Sequence, residues 1–587
     1  VRINREEAGS RRRKMKTNLL AIGLLYRLPR LWLLAKFFLI LGLLSVSSAI
    51  AAKVTGNKIS PDLGAVPAGS SVDVIIQFTH APTNADLAAL TLAGGTLKKT
   101  LPNINAALIT LPAAAIRALA TNPVIAYMSP DRKVAGALEF AEPTVNANIA
   151  LQYGWNGTGV GVAVVDSGIY NHADLDPRVV HAESFVAGDS STDDAFGHGT
   201  HVAGIVAGDG LQSTGNSYIY TFRGIAPNAK LINLRALDAN GHGTDSAVIS
   251  AIDRAIDLKN QYNIKVVNLS LGRSVQESYT QDPLCQEVEK AWQAGLVVVA
   301  AAGNNGRDNS MGTSGYGTIT SPGNDPYVIT VGAMKDMGTT TRGDDLIASY
   351  SSKGPTLLDQ VVKPDILAPG NHIVSALAPG SQVVQTYPGN IDVSYYKNNN
   401  TPLTSSYYFR LSGTSMAAPM VSGAAALLLQ QTPGLTPDQV KARLMKTATK
   451  NFPSTSIAVD PVTGASYTST YDIFTVGAGY LDVWAALNNT DVSTGSAASP
   501  TASFNSSTGT TSVITAPGSV WQNAVVWGTA VVWGSSVIGA SDTAVVWGTA
   551  VVWGSTTSNS LAVVWGSAVV WGTNTPFSAS VSVYGDQ

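Results

Sequence analysis

The run Val160-Gly-Val-Ala-Val-Val165 most narrows what this chain can become. Six consecutive residues without a polar side chain leave no face for water, so the run suits a parallel strand covered on both sides. Comparable stretches recur at 231–234, 265–269 and 296–302, separated by helical patterns at 244–257 and 284–293. That alternation predicts an α/β fold: a mainly parallel sheet with helices on both faces. Asp166 follows the first run directly. It therefore stands at a strand's carboxyl end, where open α/β sheets place their ligands.

Two further motifs share its chemistry: Gly197-His198-Gly199-Thr200-His201 and Gly413-Thr414-Ser415-Met416-Ala417-Ala418-Pro419. A serine hydroxyl is a weak nucleophile at neutral pH. It needs an imidazole to take its proton, and the imidazole needs a carboxylate to fix its tautomer and steady its charge. Asp166, His198 and Ser415 supply one part each. Ser415 opens an Ala-rich helical stretch over 416–430, with Pro419 in the first turn, where a missing N–H costs little. A helix start also leaves N–H groups free to face a developing oxyanion. Taken singly, Asp-Ser-Gly reads as a turn and Gly-Thr-Ser as a loop; their occurrence together, in this order, carries the reading. His201 reads as structural, and Cys285 as a small core hydrophobe.

Over roughly residues 60–490 the chain resembles the subtilisin-like serine proteases, or subtilases. The resemblance implies that Asp166 orients, His198 acts as base, Ser415 attacks, and Asn304 donates its amide to the oxyanion. It further implies that Ser270, Leu271 and Gly272, with Ala301, Ala302 and Gly303, wall the pocket for the residue before the scissile bond. Gly241 and Gly243 would line the cleft upstream. Thr320, near the base of that pocket, is small and neutral, so a broad or apolar preference is expected. The implied partners are protein or peptide substrates, and the chemistry needs no cofactor. Asp174 matches a family calcium ligand, which leaves a structural calcium open, though one carboxylate is a poor cage for an ion wanting six to eight oxygens. Metal ligands stay unassigned. A Tyr- and Asn-rich insertion between Ser375 and Leu411 departs from the family pattern, as does a long loop over 208–223.

The remaining sequence divides by composition. Residues 1–52 carry a basic stretch, Arg11-Arg-Arg-Lys, then an apolar core ending at Leu44, then Ser47-Ser-Ala-Ile-Ala-Ala52. This is the order of a secretory signal, and it predicts a secreted protein; a membrane anchor over 31–52 is the alternative. Residues 53–140 show a β-α-β-β-α-β pattern and look like a subtilase propeptide, an α+β unit expected to assist folding and then occupy the cleft. The protease domain is expected over 146–489, and a Ser/Thr-rich linker over 490–518. The last segment, 519–587, holds six copies of Ala-Val-Val-Trp-Gly. Their six-residue pairing puts every Trp of a pair on one strand face, which predicts a small all-β repeat module. Its Trp residues form either the module's own core or a platform for cell envelope or polysaccharide. A net charge of −2, with 13% charged residues, offers no electrostatic case for nucleic acid. The whole reads as a secreted, self-processing serine endopeptidase; the competing reading is a surface adhesin with a vestigial protease fold.

Overall fold

The computed structural model describes residues 69–130 and 140–522, apart from Met311, Pro388, 399–402, 461–462 and 506–509, together with 58–59, 63, 136–137, 531–533, 551–553 and 586. Residues 1–52, expected to be a signal region, and most of the repeat segment lie outside the described residues. The chain forms two compact units, residues 1–134 and 135–587.

In the first unit the elements follow in the order read from the sequence. Ser71–Phe78, Asn84–Leu92, Thr96–Leu101, Ala106–Pro112, Ala113–Leu119 and Ile125–Pro130 give strand, helix, strand, strand, helix, strand. The strands pair antiparallel with Ser71–Phe78 and Ala106–Pro112 in the middle. Alternating residues Val74, Ile76, Phe78, Ile109 and Leu111 point inward and meet Leu90 and Ile116 from the two helices.

The second unit is built on an eight-stranded sheet. Across it run Leu346–Ile347, Ile329–Lys335, Val297–Ala301, Ile264–Leu269, Gly161–Asp166, Lys230–Arg235 and Val179–Ser184, while Ile366–Pro369 also pairs with Ile329–Lys335. Every pairing is parallel except that of Leu346–Ile347. Gly161–Asp166 is buried along its whole length, as its composition requires. Helices Asp245–Tyr262 and Pro283–Gln293 pack on each other and on this sheet. Thr414–Gln431 packs on His198–Ala207 and on the central strands. With Ala or Gly at six of its eighteen positions, Thr414–Gln431 sits close enough to be buried from Thr414 through Leu429.

One boundary is corrected. The stretch 490–518, expected to be a linker, carries the antiparallel hairpin Thr501–Asn505 and Thr510–Ile514. Its Ala502 and Val513 bury against Val362 and Phe474, and Ala497 joins Val520, Trp521, Ala442 and Met445 in a second small cluster. Too poor in apolar residues to fold alone, the stretch completes the unit it packs against. From the repeats, Val531–Trp533 and Val551–Trp553 pair parallel, Trp533 opposite Trp553.

Candidate active site

Asp166 ends its strand with Oδ1 accepting the Ser167 N–H at 2.7 Å and facing His198 Nδ1 at 2.8 Å. His198 is the first residue of its helix, and it comes this near because the next position has no side chain. A Cβ on Gly199 would lie 2.2 Å from the Gly168 carbonyl and 3.1 Å from Asp166 Cβ. That helix start has a partner absent from the sequence reading, Asp194. Its buried carboxylate accepts the Gly197 N–H at 2.6 Å, the Thr200 N–H at 2.7 Å, the Thr200 hydroxyl at 2.6 Å and the Ser167 hydroxyl at 2.8 Å. An acid three residues before the helix cap was the available signal, since such groups satisfy the free N–H groups of a first turn.

Burial favours the neutral form of His198, but the charge and hydrogen bond of Asp166, with Asp194 behind, outweigh it and hold the imidazole above its ordinary value of 6.5. His201 goes the other way. Burial, then the neighbouring His198, push it down to about 3. Its Nε2 lies 3.1 Å from the carbonyls of both Ile373 and Phe409, which pins the His198 helix to the strand leading into Ser415. It is a structural histidine, as expected.

Ser415 and Ser270 clasp each other: the Ser415 hydroxyl donates to the Ser270 carbonyl at 3.0 Å and the Ser270 hydroxyl to the Ser415 carbonyl at 2.8 Å. In this rotamer Ser415 is not hydrogen-bonded to His198, whose Nε2 is buried and unpartnered. Asn304 is held from its oxygen side. Oδ1 accepts both the N–H and the hydroxyl of Thr414 at 3.0 Å, which leaves Nδ2 buried without a partner. Thr414 also accepts the Gly303 N–H at 3.1 Å, a role that its place in the Ser415 motif did not reveal.

Residues expected to wall the pocket meet around Thr320. Thr320 lies between the two glycines of the strand ends, so that a Cβ on Gly272 would come 2.6 Å from its hydroxyl and one on Gly303 2.8 Å from its methyl. Ser270 and Leu271 precede Gly272, and Ala301 and Ala302 precede Gly303; all four are buried. Gly241 and Gly243 belong to a turn after Lys230–Arg235, in which Gly243 pairs with Leu237, whose N–H donates to the Asp166 carbonyl at 3.1 Å.

Two expectations find a different setting. The Tyr/Asn-rich insertion forms a three-stranded sheet from Ile373–Ala376, Thr404–Leu411 and Asn390–Asp392. Its Tyr396 and Tyr408 cluster with Phe222, so it packs on the long 208–223 loop. Asp174 is filled with donors: the Tyr408 hydroxyl at 2.5 Å and the Gln212 N–H at 2.8 Å. A carboxylate spent on O–H and N–H groups does not fit a calcium cage built of oxygens. Among the described residues no cluster of three or more His, Cys, Asp or Glu could hold a metal ion. Cys285 is buried, and burial raises its thiol well above its ordinary pKa, so it is inert at neutral pH.

What the arrangement offers chemically is a base oriented by a carboxylate, a hydroxyl at a helix start, and an aimed amide. Sequence comparison with known proteins points the same way. The family model described as subtilase family matches residues 157–465. Serine protease AprX from Bacillus subtilis (strain 168) is 40% identical over 333 residues, covering 55% of this chain and 69% of that protein. Subtilisin DY from Bacillus licheniformis is 37% identical over 316 residues, 54% of this chain and 93% of that protein. The crystal structure of a cold adapted subtilisin-like serine proteinase aligns at 31% identity over 50% of this chain and 84% of that chain, with a TM-score of 0.37.

Proposed function

Because the chain belongs to the subtilase family and is a serine endopeptidase, we propose that Asp166, His198 and Ser415 are its orienting acid, base and nucleophile, with Asn304 as oxyanion donor. The Ser415 hydroxyl turns from the Ser270 carbonyl toward His198 Nε2 and gives up its proton as Oγ bonds to the scissile carbonyl carbon. Asp166 holds the proton on Nδ1 and steadies the imidazolium that forms. Charge developing on the carbonyl oxygen meets Asn304 Nδ2 and the N–H groups at the start of the Ser415 helix. His198 then protonates the leaving amine as the C–N bond breaks, and water, activated by the same imidazole, releases the acyl group.

One observation carries this reading. His198 Nε2 and Asn304 Nδ2 are both buried and unpaired, and each is fixed from its far side by Asp166 and Thr414. A buried polar group left unpaired costs about 1–3 kcal/mol, and a catalytic role is one reason a folded protein keeps such a group.

The fuller activity is a secreted enzyme that removes residues 53–140 by its own action and cleaves proteins with broad or apolar preference. Ser270, Leu271, Gly272, Ala301, Ala302 and Gly303 form the primary pocket, and Gly241 and Gly243 border the upstream cleft. Support for secretion comes from the order of basic, apolar and small residues up to Ala52. Thr320 between the pocket glycines supports an uncharged preference. The test is the full chain beside Ser415→Ala. Wild type should digest casein, take up one serine-directed phosphonyl fluoride on Ser415, and appear in the medium without residues 53–140. Ser415→Ala should do none of these and should keep those residues attached. Turnover that survives in Ser415→Ala, or strict cleavage after charged residues, would refute the corresponding part.

A further inference from the structure

Asp586 is almost fully buried within the unit that holds the catalytic centre. Its carboxylate accepts from Arg307 Nη2 at 2.5 Å, from the Ser349 N–H at 2.6 Å and from the Ser349 hydroxyl at 2.7 Å. Its backbone is read as well: the Asp586 N–H donates to Asn371 Oδ1 at 2.8 Å, and Asn371 Nδ2 donates to the Asp586 carbonyl at 3.0 Å. The receiving groups are fixed in turn. Arg307 Nε donates to the Ser349 hydroxyl at 2.8 Å and Nη1 to Asp460 at 2.6 Å, while the guanidinium lies 4.9 Å over the Tyr467 ring. Charge-assisted bonds of this kind are about twice as strong as neutral ones. Ser349 and Asn371 are themselves buried.

This cluster adjoins the reacting centre through the backbone. Arg307 lies three residues beyond Asn304. Asn371 follows Gly370, whose carbonyl accepts the Tyr350 hydroxyl at 2.9 Å and the Gly413 N–H at 2.8 Å, two residues before Ser415. Far earlier in the chain, Val520 and Trp521 are buried, and Trp521 Nε1 donates to the Ala498 carbonyl at 2.7 Å. All six Ala-Val-Val-Trp-Gly copies lie between these two anchors.

We infer that Arg307, Ser349 and Asn371 form an aspartate-docking site whose occupant is Asp586, so that the chain is anchored to this unit before the Trp-rich repeats, at Trp521, and again after them, at Asp586. The site selects for aspartate. Asparagine would remove the charge facing Arg307, and a longer acid would have to fit an enclosed pocket that already contacts both carboxylate oxygens. Asp586 is thereby held beside the segments that carry Asn304 and Ser415.

Hydrogen exchange read by mass spectrometry on the full chain tests this, in a Ser415→Ala background that limits self-digestion. The Asp586 amide should exchange at least tenfold more slowly than in Asp586→Asn, Arg307→Gln or Ser349→Ala. The Asp586→Asn/Arg307→Gln double variant should exchange no faster than the faster single variant, because either change alone opens the same contact. Asp586→Asn guards against a fold defect in Arg307→Gln, since Arg307 also serves Asp460. An Asp586 amide that exchanges at the unprotected rate in all proteins would overturn the inference. So would protection that persists in Asp586→Asn, because the carboxylate would then not be the anchor.

Discussion

Replacing Thr414 by Val asks whether Asn304 must be aimed as well as present. Valine keeps the shape and retains the backbone N–H that donates to Asn304 Oδ1 at 3.0 Å. It removes the hydroxyl, which gives that oxygen its second bond at 3.0 Å and accepts the Gly303 N–H at 3.1 Å. A neutral hydrogen bond contributes about 0.5–1.5 kcal/mol net. If all of that is lost in the transition state, kcat falls about 2- to 12-fold. Removing the Asn304 donor itself should cost far more, about 100- to 1000-fold, which is the loss established for this kind of donor in subtilisin and not a magnitude worked out from this chain. The unpaired Gly303 N–H adds about 1–3 kcal/mol of lost stability, which appears in the melting temperature and is separable from turnover measured well below it. With a chromogenic peptide anilide, Thr414→Val should lower kcat and leave KM nearly unchanged, and Thr414→Ser should restore most of the loss. Unchanged kcat in Thr414→Val would refute the reasoning, as would a serine variant no better than valine.

Three further outcomes are expected. Only the neutral imidazole accepts the Ser415 proton, and His198 titrates above 6.5, so kcat/KM should rise with pH along an acid limb centred above that value; a limb at or below 6.5 contradicts the influence of Asp166 and Asp194. Glu142 is buried with both carboxylate oxygens unpartnered, and burial raises its pKa from 4.5 to about 8. The folded state thus holds more protons than the unfolded one between those values, so stability falls as pH climbs through that window, by at most about 5 kcal/mol. Glu142→Gln should flatten this slope in denaturant titrations at pH 5 and pH 9, and an equal slope in both proteins counts against it. Finally, Trp521→Ala empties a packed site at the end of the hairpin region and should cost about 3–5 kcal/mol; a melting temperature within a degree of wild type would show that 490–522 does not stabilise the unit.

The parts of the fold legible in the sequence were those whose burial is decided locally. Val160–Val165 needs cover on two faces whatever its neighbours, and the strand appears at Gly161–Asp166. The helix expected over 244–257 runs on to Tyr262, because Leu258 is also buried and Asn263, at φ 53°, supplies the left-handed stop. The hairpin at Thr501–Ile514 was not legible, since its few apolar residues are buried by Phe474 and by Val362, the latter more than a hundred residues away in sequence. The same distinction holds at the site. Asp166, His198, Ser415 and Asn304 announce themselves by motif, whereas Asp194 and Thr414 act through backbone N–H groups and neighbouring amides that only the folded chain assembles. Asp174 shows the converse: a familiar position whose surroundings, Tyr408 and Gln212, have changed its partners.

The solitary thiol at position 285, sealed away and held in its unreactive form, makes the molecule a clean substrate for site-selective labelling. A cysteine introduced among the exposed Ser or Thr residues would be the one sulfur that maleimide dyes find. Reporter pairs could then follow release of Asp586 from Arg307 in single molecules, without first removing a native competitor.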